Sequence, residues 1–132
     1  MVTGSASGIG SAVAVRLANE GLDTIVNYSQ SADSASDTAE KCTAAGSATL
    51  LVQCDVSNEA GVESMLDDVE KKYGRLDVVV NNAGTSISTL AKDFDKVSEE
   101  EFDRVLAVNA KGMFWLPSTP RRCSKRVLIL VL

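Results

Sequence analysis

The sequence of 132 residues contains no histidine, only three cysteines and no long hydrophobic run. The lack of histidine excludes the Ser-His-Asp and Cys-His arrangements that activate many catalytic nucleophiles, and it removes the commonest ligand of zinc sites. Cys42, Cys54 and Cys123 are widely spaced, odd in number and free of any CxxC motif, so neither a disulfide framework nor a zinc site is indicated. We therefore predict no metal site.

Basic residues are also scarce, because 13 lysines and arginines stand against 18 acidic residues and the net charge is −5. This balance argues against a nucleic acid or an anionic membrane as partner, since both are bound mainly through clustered basic side chains. The one basic cluster, within residues 121–126, is interpreted as a short solvated run. No stretch approaches the roughly 20 apolar residues of a membrane span. The opening residues lack the features of a signal peptide, so we expect a cytoplasmic location.

What is present is the composition of an ordinary globular protein, with 45% hydrophobic and 23% charged residues. Apolar β-branched runs alternate with helix-like stretches. This alternation predicts a single doubly wound α/β domain over residues 1–132, with a parallel sheet of about five strands. The predicted strands are residues 1–4, 24–28, 48–56, 76–84 and 126–132. In the strand order 3-2-1-4-5 the first strand is central, and it is unusually short.

Helix signals lie between the predicted strands. Ser57 is predicted to cap the third helix, whose apolar residues recur at positions i, i+3, i+4 and i+7 and are therefore predicted core residues. These residues are Val62, Met65, Leu66 and Val69. Ser98 and Glu101 match a capping box at the start of the fourth helix, and Pro117 and Pro120 are predicted to end that helix.

The stretch TGSASGIG, residues 3–10, separates the first predicted strand from the first helix. Glycines at such a turn let backbone N–H groups and the positive end of the helix approach a pyrophosphate. The residues after Gly10 are serine and alanine, which is not the Lys-Ser/Thr pair of a nucleoside-triphosphate P-loop. Gly4, Gly8 and Gly10 form the pattern TGxxxGxG, which also differs from GxGxxG. This stretch alone allows two interpretations, a dinucleotide site and a ligand-free tight turn.

Three further motifs follow in order, CDVS at residues 54–57, NNAG at 81–84 and VNAKG at 108–112. Together with TGxxxGIG at residues 3–10, their order and spacing closely resemble the short-chain dehydrogenase/reductase family. The resemblance covers the chain up to about residue 116. It implies a Rossmann-like fold, a nicotinamide dinucleotide as cofactor, and hydride transfer between the nicotinamide and a small carbonyl or alcohol substrate.

The resemblance also implies a role for each matching position. Residues of the glycine loop would line the diphosphate and adenosine ribose of the cofactor: Thr3, Gly4, Ser5, Ser7, Gly8, Ile9 and Gly10. Asp55 and Val56 would flank the adenine, with Asp55 accepting a hydrogen bond from the adenine amino group. Residues after the fourth strand would pass along the two riboses: Asn82, Ala83 and Gly84. Asn109 matches the catalytic asparagine of the family, which holds a helix bend and a water of the proton relay.

Cofactor preference depends on the end of the second strand, where an acidic residue would bond the ribose 2′-hydroxyl of NAD and repel the 2′-phosphate of NADP. The stretch here is VNYSQS, residues 26–31, and it contains no carboxylate. NADP(H) is therefore favoured over NAD(H), with Asn27, Tyr28 and Ser29 as the candidate contacts.

The serine and the Tyr-x-x-x-Lys pair that complete catalysis in this family have no match in the sequence. Its two tyrosines, Tyr28 and Tyr73, are followed four residues later by Ala32 and Asp77. After residue 116 the sequence departs from the family pattern. We therefore interpret residues 117–132 as a divergent tail and the chain as a truncated N-terminal portion.

Two functions are compatible with these observations. The first is an NADP(H)-preferring oxidoreductase in which Asn109 is the surviving member of the catalytic set. The second, favoured for this chain acting alone, is a non-catalytic fragment that binds a dinucleotide or a partner. Family members commonly form homo-oligomers through two helices, of which one is altered here and the other is absent, so we do not expect this chain to share their assembly.

Overall fold

The computed structural model describes residues 1–87, 95–118 and 127–132. In chain order its helices and strands are α1 (Gly8–Asn19), β1 (Ile25–Tyr28), α2 (Ala32–Ala44), β2 (Leu50–Gln53), α3 (Glu59–Tyr73), β3 (Val78–Asn81), α4 (Glu99–Leu106), α5 (Gly112–Ser118) and β4 (Leu128–Val131). A π-helical turn, Ala107–Lys111, joins α4 to α5. The alternation of strands and helices therefore agrees with the prediction.

The strands form a parallel arrangement around Val2. β1 pairs in parallel with β2, and β3 pairs in parallel with β4. Val2 is bridged to Val26 on one side and to Val80 on the other, which gives the order β2, β1, Val2, β3, β4. The predicted parallel α/β sheet and its strand order are confirmed. The first predicted strand is reduced to the single bridged residue Val2.

Helices cover both faces of the sheet, as a doubly wound fold requires. On one face, α1 and α2 pack their small side chains over Val2, Val26 and Val80. On the other face lies a second buried cluster, which contains the four predicted core residues of α3, all exposed by at most 3%. The apolar periodicity of α3 therefore predicts its buried face correctly.

The helix caps agree with the prediction in one case and differ in the other. α3 is capped by Asn58, whose side-chain oxygen accepts a hydrogen bond at 3.0 Å from the backbone N–H three residues later. The prediction that Ser57 caps this helix is wrong, because its N–H and its hydroxyl both donate to the carboxylate of Asp55. The predicted capping box of Ser98 and Glu101 is present at the start of α4.

The last described helix, α5, continues to Ser118, one residue beyond Pro117. Proline has no N–H to donate to the carbonyl four residues earlier, which here belongs to Met113. That carbonyl instead accepts a hydrogen bond from the Asn81 side chain at 3.4 Å. Pro120, Cys123 and the basic cluster lie outside the described residues. Within the described ranges, no helix has the length and apolar character needed to cross a membrane.

β4 forms an edge of the described sheet and leaves its side chains exposed. The exposed fraction ranges from 37% for Ile129 to 60% for Leu128 and Val131. The neighbouring strand β3 is buried along three of its four residues. β4 therefore extends the sheet without adding its own side chains to the buried core.

Candidate functional site

The candidate site is a cleft of about 390 Å³ where the strands end at their carboxyl edge, which is the usual ligand position in open parallel sheets. Eight residues that the sequence predicts as cofactor contacts line it: Gly4, Asn27, Ser29, Asp55, Val56, Asn82, Ala83 and Gly84. Five further lining residues were not predicted: Gln30, Cys54, Thr85, Arg104 and Val108. The fold thus brings residues of all four motifs, and of the VNYSQS stretch, to one cavity.

The start of α1 has the features of an anion site. Its cap residue is Ser7, which makes no side-chain capping hydrogen bond to the described residues, and the first turn of α1 contains no acidic residue. The first N–H groups of a helix lack partners within the helix and carry its positive dipole end. An anionic group such as a diphosphate therefore fits this helix start.

At two positions of the loop, close contacts leave no room for a side chain. Gly4 has φ +59°, and a side chain there would lie 2.8 Å from Ala83 Cα. A Cβ on Gly10 would overlap the side-chain nitrogen of Asn82 and lie 2.7 Å from the Gly4 carbonyl oxygen. That same Asn82 nitrogen donates to the Gly4 carbonyl at 3.1 Å. The loop is therefore packed directly against the turn that follows β3, and only glycine fits at these two positions.

Thr3 and Ser5 support the loop from inside. The Thr3 hydroxyl accepts hydrogen bonds from the N–H groups of Asn82 and Ala83, each at 3.0 Å. The Ser5 hydroxyl donates to the Val2 carbonyl at 2.8 Å. Both side chains are at most 1% exposed, so their position is that of a support behind the cleft wall.

The predicted contacts at the end of β1 occupy different positions. Asn27 is 1% exposed, accepts a hydrogen bond from the Gly4 N–H at 3.1 Å and donates to the Cys54 carbonyl at 3.0 Å. It therefore ties the glycine loop to the end of β2. The Tyr28 side chain packs against the apolar cluster under α1 and α2, whereas Ser29 is exposed at the cleft.

The remaining loop residues lie outside the cleft lining. Ser7, Gly8 and Ile9 are exposed at the start of α1, and Ile9 is 70% exposed. Gly10 is buried behind them, against Gly4.

Asp55 is held by a closed set of hydrogen bonds. Its Oδ1 accepts from the Ser57 N–H at 2.9 Å and from the Ser57 hydroxyl at 2.7 Å. Its Oδ2 lies 2.8 Å from the Arg104 guanidinium, which also donates to the Ser57 hydroxyl at 2.8 Å. Burial alone would raise the pKa of the Asp55 carboxyl, but the bonds from Ser57 and Arg104 together outweigh burial and hold this pKa below its usual value. Asp55 is therefore a carboxylate at neutral pH.

Cys54 has the opposite electrostatic character. Burial and the neighbouring charge of Asp55 raise the pKa of its thiol to about 11. The thiol therefore stays protonated at neutral pH and is a poor nucleophile.

Asn109 lies in the π-helical turn, beside the lining residue Thr85. Its Oδ1 accepts from the Thr85 N–H at 2.8 Å, and its Nδ2 donates to the Thr85 carbonyl at 2.9 Å. The Asn109 amide therefore satisfies both the N–H and the carbonyl of Thr85, as a residue of a paired β-strand would. Just after this turn, a Cβ on Gly112 would lie 2.7 Å from a methyl group of Val56. The start of α5 is therefore in close contact with the segment that follows β2.

Replacing Asn109 with alanine removes both hydrogen bonds to Thr85. We expect the free energy of unfolding to fall by about 1–2 kcal/mol, because two part-buried backbone groups lose their partner. Denaturant titration of the two proteins measures the difference. Asn19→Ala is the control, since Asn19 is exposed and bonds only within its own helix, to the Val15 carbonyl. Equal stability of Asn109→Ala and Asn19→Ala would contradict the bracing role.

Sequence reasoning missed Arg104 and Thr85. Arg104 is 49 positions after Asp55 in the chain, and an arginine on an exposed helix face gives no signal of its own. Thr85 contributes backbone atoms, which no residue type reveals. The signal that could have located Thr85 is its place directly after the NNAG motif.

Comparison with known proteins identifies related sequences. A family model described as short chain dehydrogenase matches residues 1–121. Elsinochrome reductase 1 of Elsinoe fawcettii is 40% identical over 116 residues, which make up 88% of this chain and 42% of that protein. Versicolorin reductase 1 of Dothistroma septosporum is 37% identical over 116 residues, which make up 88% of this chain and 43% of that protein. The chain thus spans about two fifths of the length of these reductases.

Two solved structures show the same fold. A short chain dehydrogenase from Burkholderia cenocepacia J2315, crystallised in complex with NADP, has a TM-score of 0.89 at 29% identity, and the match covers 98% of this chain and 53% of that one. An alcohol dehydrogenase from the archaeon Thermococcus sibiricus, complexed with 5-hydroxy-NADP, has a TM-score of 0.86 at 31% identity, covering 98% of this chain and 55% of that one. By sequence and by structure, this chain belongs to the short-chain dehydrogenase/reductase family.

Proposed function

We propose that this chain binds NADP(H) in the cleft at the carboxyl edge of the sheet, and that the protein of this lineage is an NADP(H)-preferring oxidoreductase of carbonyl or alcohol substrates. When bound, the nicotinamide supplies or accepts a hydride. The residues of the cleft and the glycine loop contribute binding and positioning. The observation that carries the proposal is the contact of Gly10 with Gly4 and Asn82 beside the start of α1.

The glycine loop supports diphosphate binding. Contacts made by Thr3, Gly4, Ser5 and Gly10 hold the turn before α1 in a tight conformation. Ser7, Gly8 and Ile9 are the exposed residues next to that helix start. A diphosphate carries negative charge, which the helix dipole favours at this end.

The rest of the cleft supports binding of an adenosine and a nicotinamide ribose. Asp55 and Val56 line the cleft after β2, and we propose that they flank the adenine. Asn82, Ala83 and Gly84 line it after β3, and we propose that they contact the riboses. A volume of about 390 Å³ is in the range of small-molecule sites.

A preference for the phosphorylated dinucleotide is supported by the end of β1. Ser29 and Gln30 line the cleft there, and neither carries a negative charge. We propose that Ser29 contacts the 2′-phosphate, while Asn27 and Tyr28 support it from the buried side. The two solved relatives described above contain NADP or an NADP derivative, which agrees with this preference.

For this chain acting alone we propose binding without turnover. Tyr73 is the end residue of α3 and lines a separate cavity with Asp23 and Thr24 at the opposite edge of the sheet. Burial and the charge of Asp23 raise the pKa of its hydroxyl to about 12, so it stays protonated and is a poor base at neutral pH. Tyr28 packs in an apolar cluster. Neither tyrosine is placed to exchange a proton with a substrate in the cleft.

Replacing Ser29 with aspartate is expected to weaken NADPH binding by about tenfold or more and to leave NADH binding unchanged or improved. Two charges 4 Å apart repel by about 1 kcal/mol in water and by about 4 kcal/mol near a protein surface, and tenfold in affinity corresponds to about 1.4 kcal/mol. Titration followed by dinucleotide fluorescence measures both dissociation constants.

Ser36→Asp is the matched control, because it adds the same charge at an exposed position of α2 that does not line the cleft. Equal loss of NADPH and NADH affinity in Ser29→Asp would contradict the proposed 2′-phosphate contact. Carbonyl-dependent consumption of NADPH by the unaltered chain would contradict binding without turnover.

A further inference from the structure

We propose that Arg104 is the positioning residue of the adenine end of the site, where it fixes the Asp55 carboxylate so that one acceptor position on Oδ2 remains for the adenine amino group. This inference rests on the proposed function, since it assigns a role toward the dinucleotide. Arg104 lines the same cleft as Asp55.

The hydrogen-bond geometry supports this role. Arg104 Nη2 lies 2.8 Å from Asp55 Oδ2, and Arg104 Nη1 donates to the Ser57 hydroxyl at 2.8 Å. The same hydroxyl donates to Asp55 Oδ1 at 2.7 Å, which closes a ring of three side chains. A guanidinium presents its N–H groups in a rigid fork, so this double contact fixes a direction as well as a charge.

The ring occupies most, but not all, of the hydrogen-bond acceptor positions of the Asp55 carboxylate. A carboxylate offers about four lone-pair positions, two on each oxygen. Ser57 occupies both positions of Oδ1 with its N–H and its hydroxyl, and Arg104 occupies one position of Oδ2. Within the part of the chain that the structure describes, one position on Oδ2 has no donor. A ligand amino group therefore meets an acceptor whose direction is set before binding, which lowers the ordering cost of binding.

The helix that carries Arg104 also carries Asn109. Arg104 belongs to α4, and the helix continues from α4 into the π-helical turn that holds Asn109. Asn109 pairs with the backbone of Thr85, which lines the same cleft as Arg104. One continuous helix therefore contacts residues of the cleft lining through both side chains.

The exposure of the pair separates a positioning role from a stabilising one. The side chains of Arg104 and Asp55 are 45% and 38% exposed. Ion pairs with this much exposure contribute little to folding stability. We therefore expect Arg104→Met to melt within a few degrees of the unaltered chain, so that changes in binding report on the site itself.

The test compares two probes, NADPH and its analogue with hypoxanthine in place of adenine. Hypoxanthine carries a carbonyl oxygen where adenine has its amino group and therefore offers Asp55 an acceptor in place of a donor at that position. Dissociation constants are measured by calorimetry, so no turnover is needed. For the unaltered chain we expect NADPH to bind about tenfold more tightly than the analogue. In Arg104→Met we expect NADPH affinity to fall about tenfold and the analogue's affinity to stay the same.

Arg75→Met is the matched control, because Arg75 makes a similar contact with Asp77, at 2.7 Å, on the side of the sheet away from the cleft. It should leave both dissociation constants unchanged. Arg104→Lys is the second variant: lysine keeps the charge but has no fork, so its preference for NADPH over the analogue should lie between those of the unaltered chain and Arg104→Met.

Each other outcome overturns the inference. An equal loss of affinity for both probes in Arg104→Met would make Arg104 a general structural residue, and no loss for either would remove it from the site. Equal binding of both probes by the unaltered chain would mean that Asp55 does not read the amino group. Failure of the unaltered chain to bind either probe would overturn the proposed function together with this inference.

Discussion

Gly10→Ala is expected to disrupt the glycine loop and to weaken NADPH binding by more than tenfold. The added methyl group would overlap the Asn82 side-chain nitrogen and lie 2.7 Å from the Gly4 carbonyl oxygen. Neither neighbour can move freely, because the same Asn82 nitrogen donates to the carbonyls of Thr3 and Gly4. Overpacking of this kind lowers the free energy of unfolding by about 1–3 kcal/mol.

Denaturant titration and NADPH titration of the Gly10→Ala protein measure these two effects. Gly61→Ala is the matched control, because the nearest side-chain atoms to a Cβ there are the Cys54 sulfur at 3.4 Å and two carbons of Asn58 slightly farther away, which are ordinary contact distances. Gly61 lies within α3, where alanine is the better helix former by about 1 kcal/mol, so this control should be neutral or stabilising. Unchanged binding in Gly10→Ala would contradict the assigned role of the loop.

Thr3→Val is the second substitution with a large expected effect. Valine has the shape of threonine but no hydroxyl, so the N–H groups of Asn82 and Ala83 both lose the acceptor that they share at 3.0 Å. Leaving part-buried donors unsatisfied costs about 1–3 kcal/mol. We expect stability to fall by about 2 kcal/mol and NADPH affinity to fall about tenfold, because the turn after β3, which we propose to contact the riboses, is no longer held.

Thr3→Ser is the reciprocal variant, because it keeps the hydroxyl and removes only a methyl group. Its stability should fall by about 0.8 kcal/mol, the value of one buried methyl or methylene group, while its NADPH affinity stays near that of the unaltered chain. Calorimetric titration of both variants makes the comparison. If Thr3→Ser loses as much NADPH affinity as Thr3→Val, the packing of the Thr3 methyl group supports binding and the hydrogen bonds of its hydroxyl do not.

Local patterns predicted the elements of this fold because each pattern is set by near neighbours in the chain. The spacing of four apolar residues predicted the buried face of α3: Val62, Met65, Leu66 and Val69. The Ser98–Glu101 spacing gave the start of α4. In both cases the partners are at most seven residues apart.

Predictions failed or fell short where a distant partner decides. Ser57 has a good capping side chain, but Asp55 and Arg104 compete for it, and Arg104 comes 47 residues later. The sequence likewise showed no sign that the Thr3 hydroxyl accepts from backbone N–H groups 79 and 80 residues away; its predicted contact with a cofactor stays a prediction. Hydrogen bonds between such distant residues leave no periodic trace in the sequence.

The residues that line the cleft could be predicted only through motifs, since the types themselves are common. Asn82 and Asp55 stand in motifs whose order and spacing indicated one site, and both line the cleft. Arg104 belongs to none of these motifs, and its proposed role depends on its ion pair with Asp55, a residue distant in the chain.

The most direct test of the account is a thermal melt of the purified chain with NADPH, with NADH and with neither. A ligand that binds only the folded state adds about 2.7 kcal/mol of stability at 100 times its dissociation constant. For a chain of this size that corresponds to a rise in Tm of roughly 10 °C. We predict a cooperative melt that shifts upward with NADPH and less with NADH at the same concentration. A chain that melts without cooperativity, or whose Tm is the same with and without NADPH, would contradict the proposal that this cleft binds NADP(H).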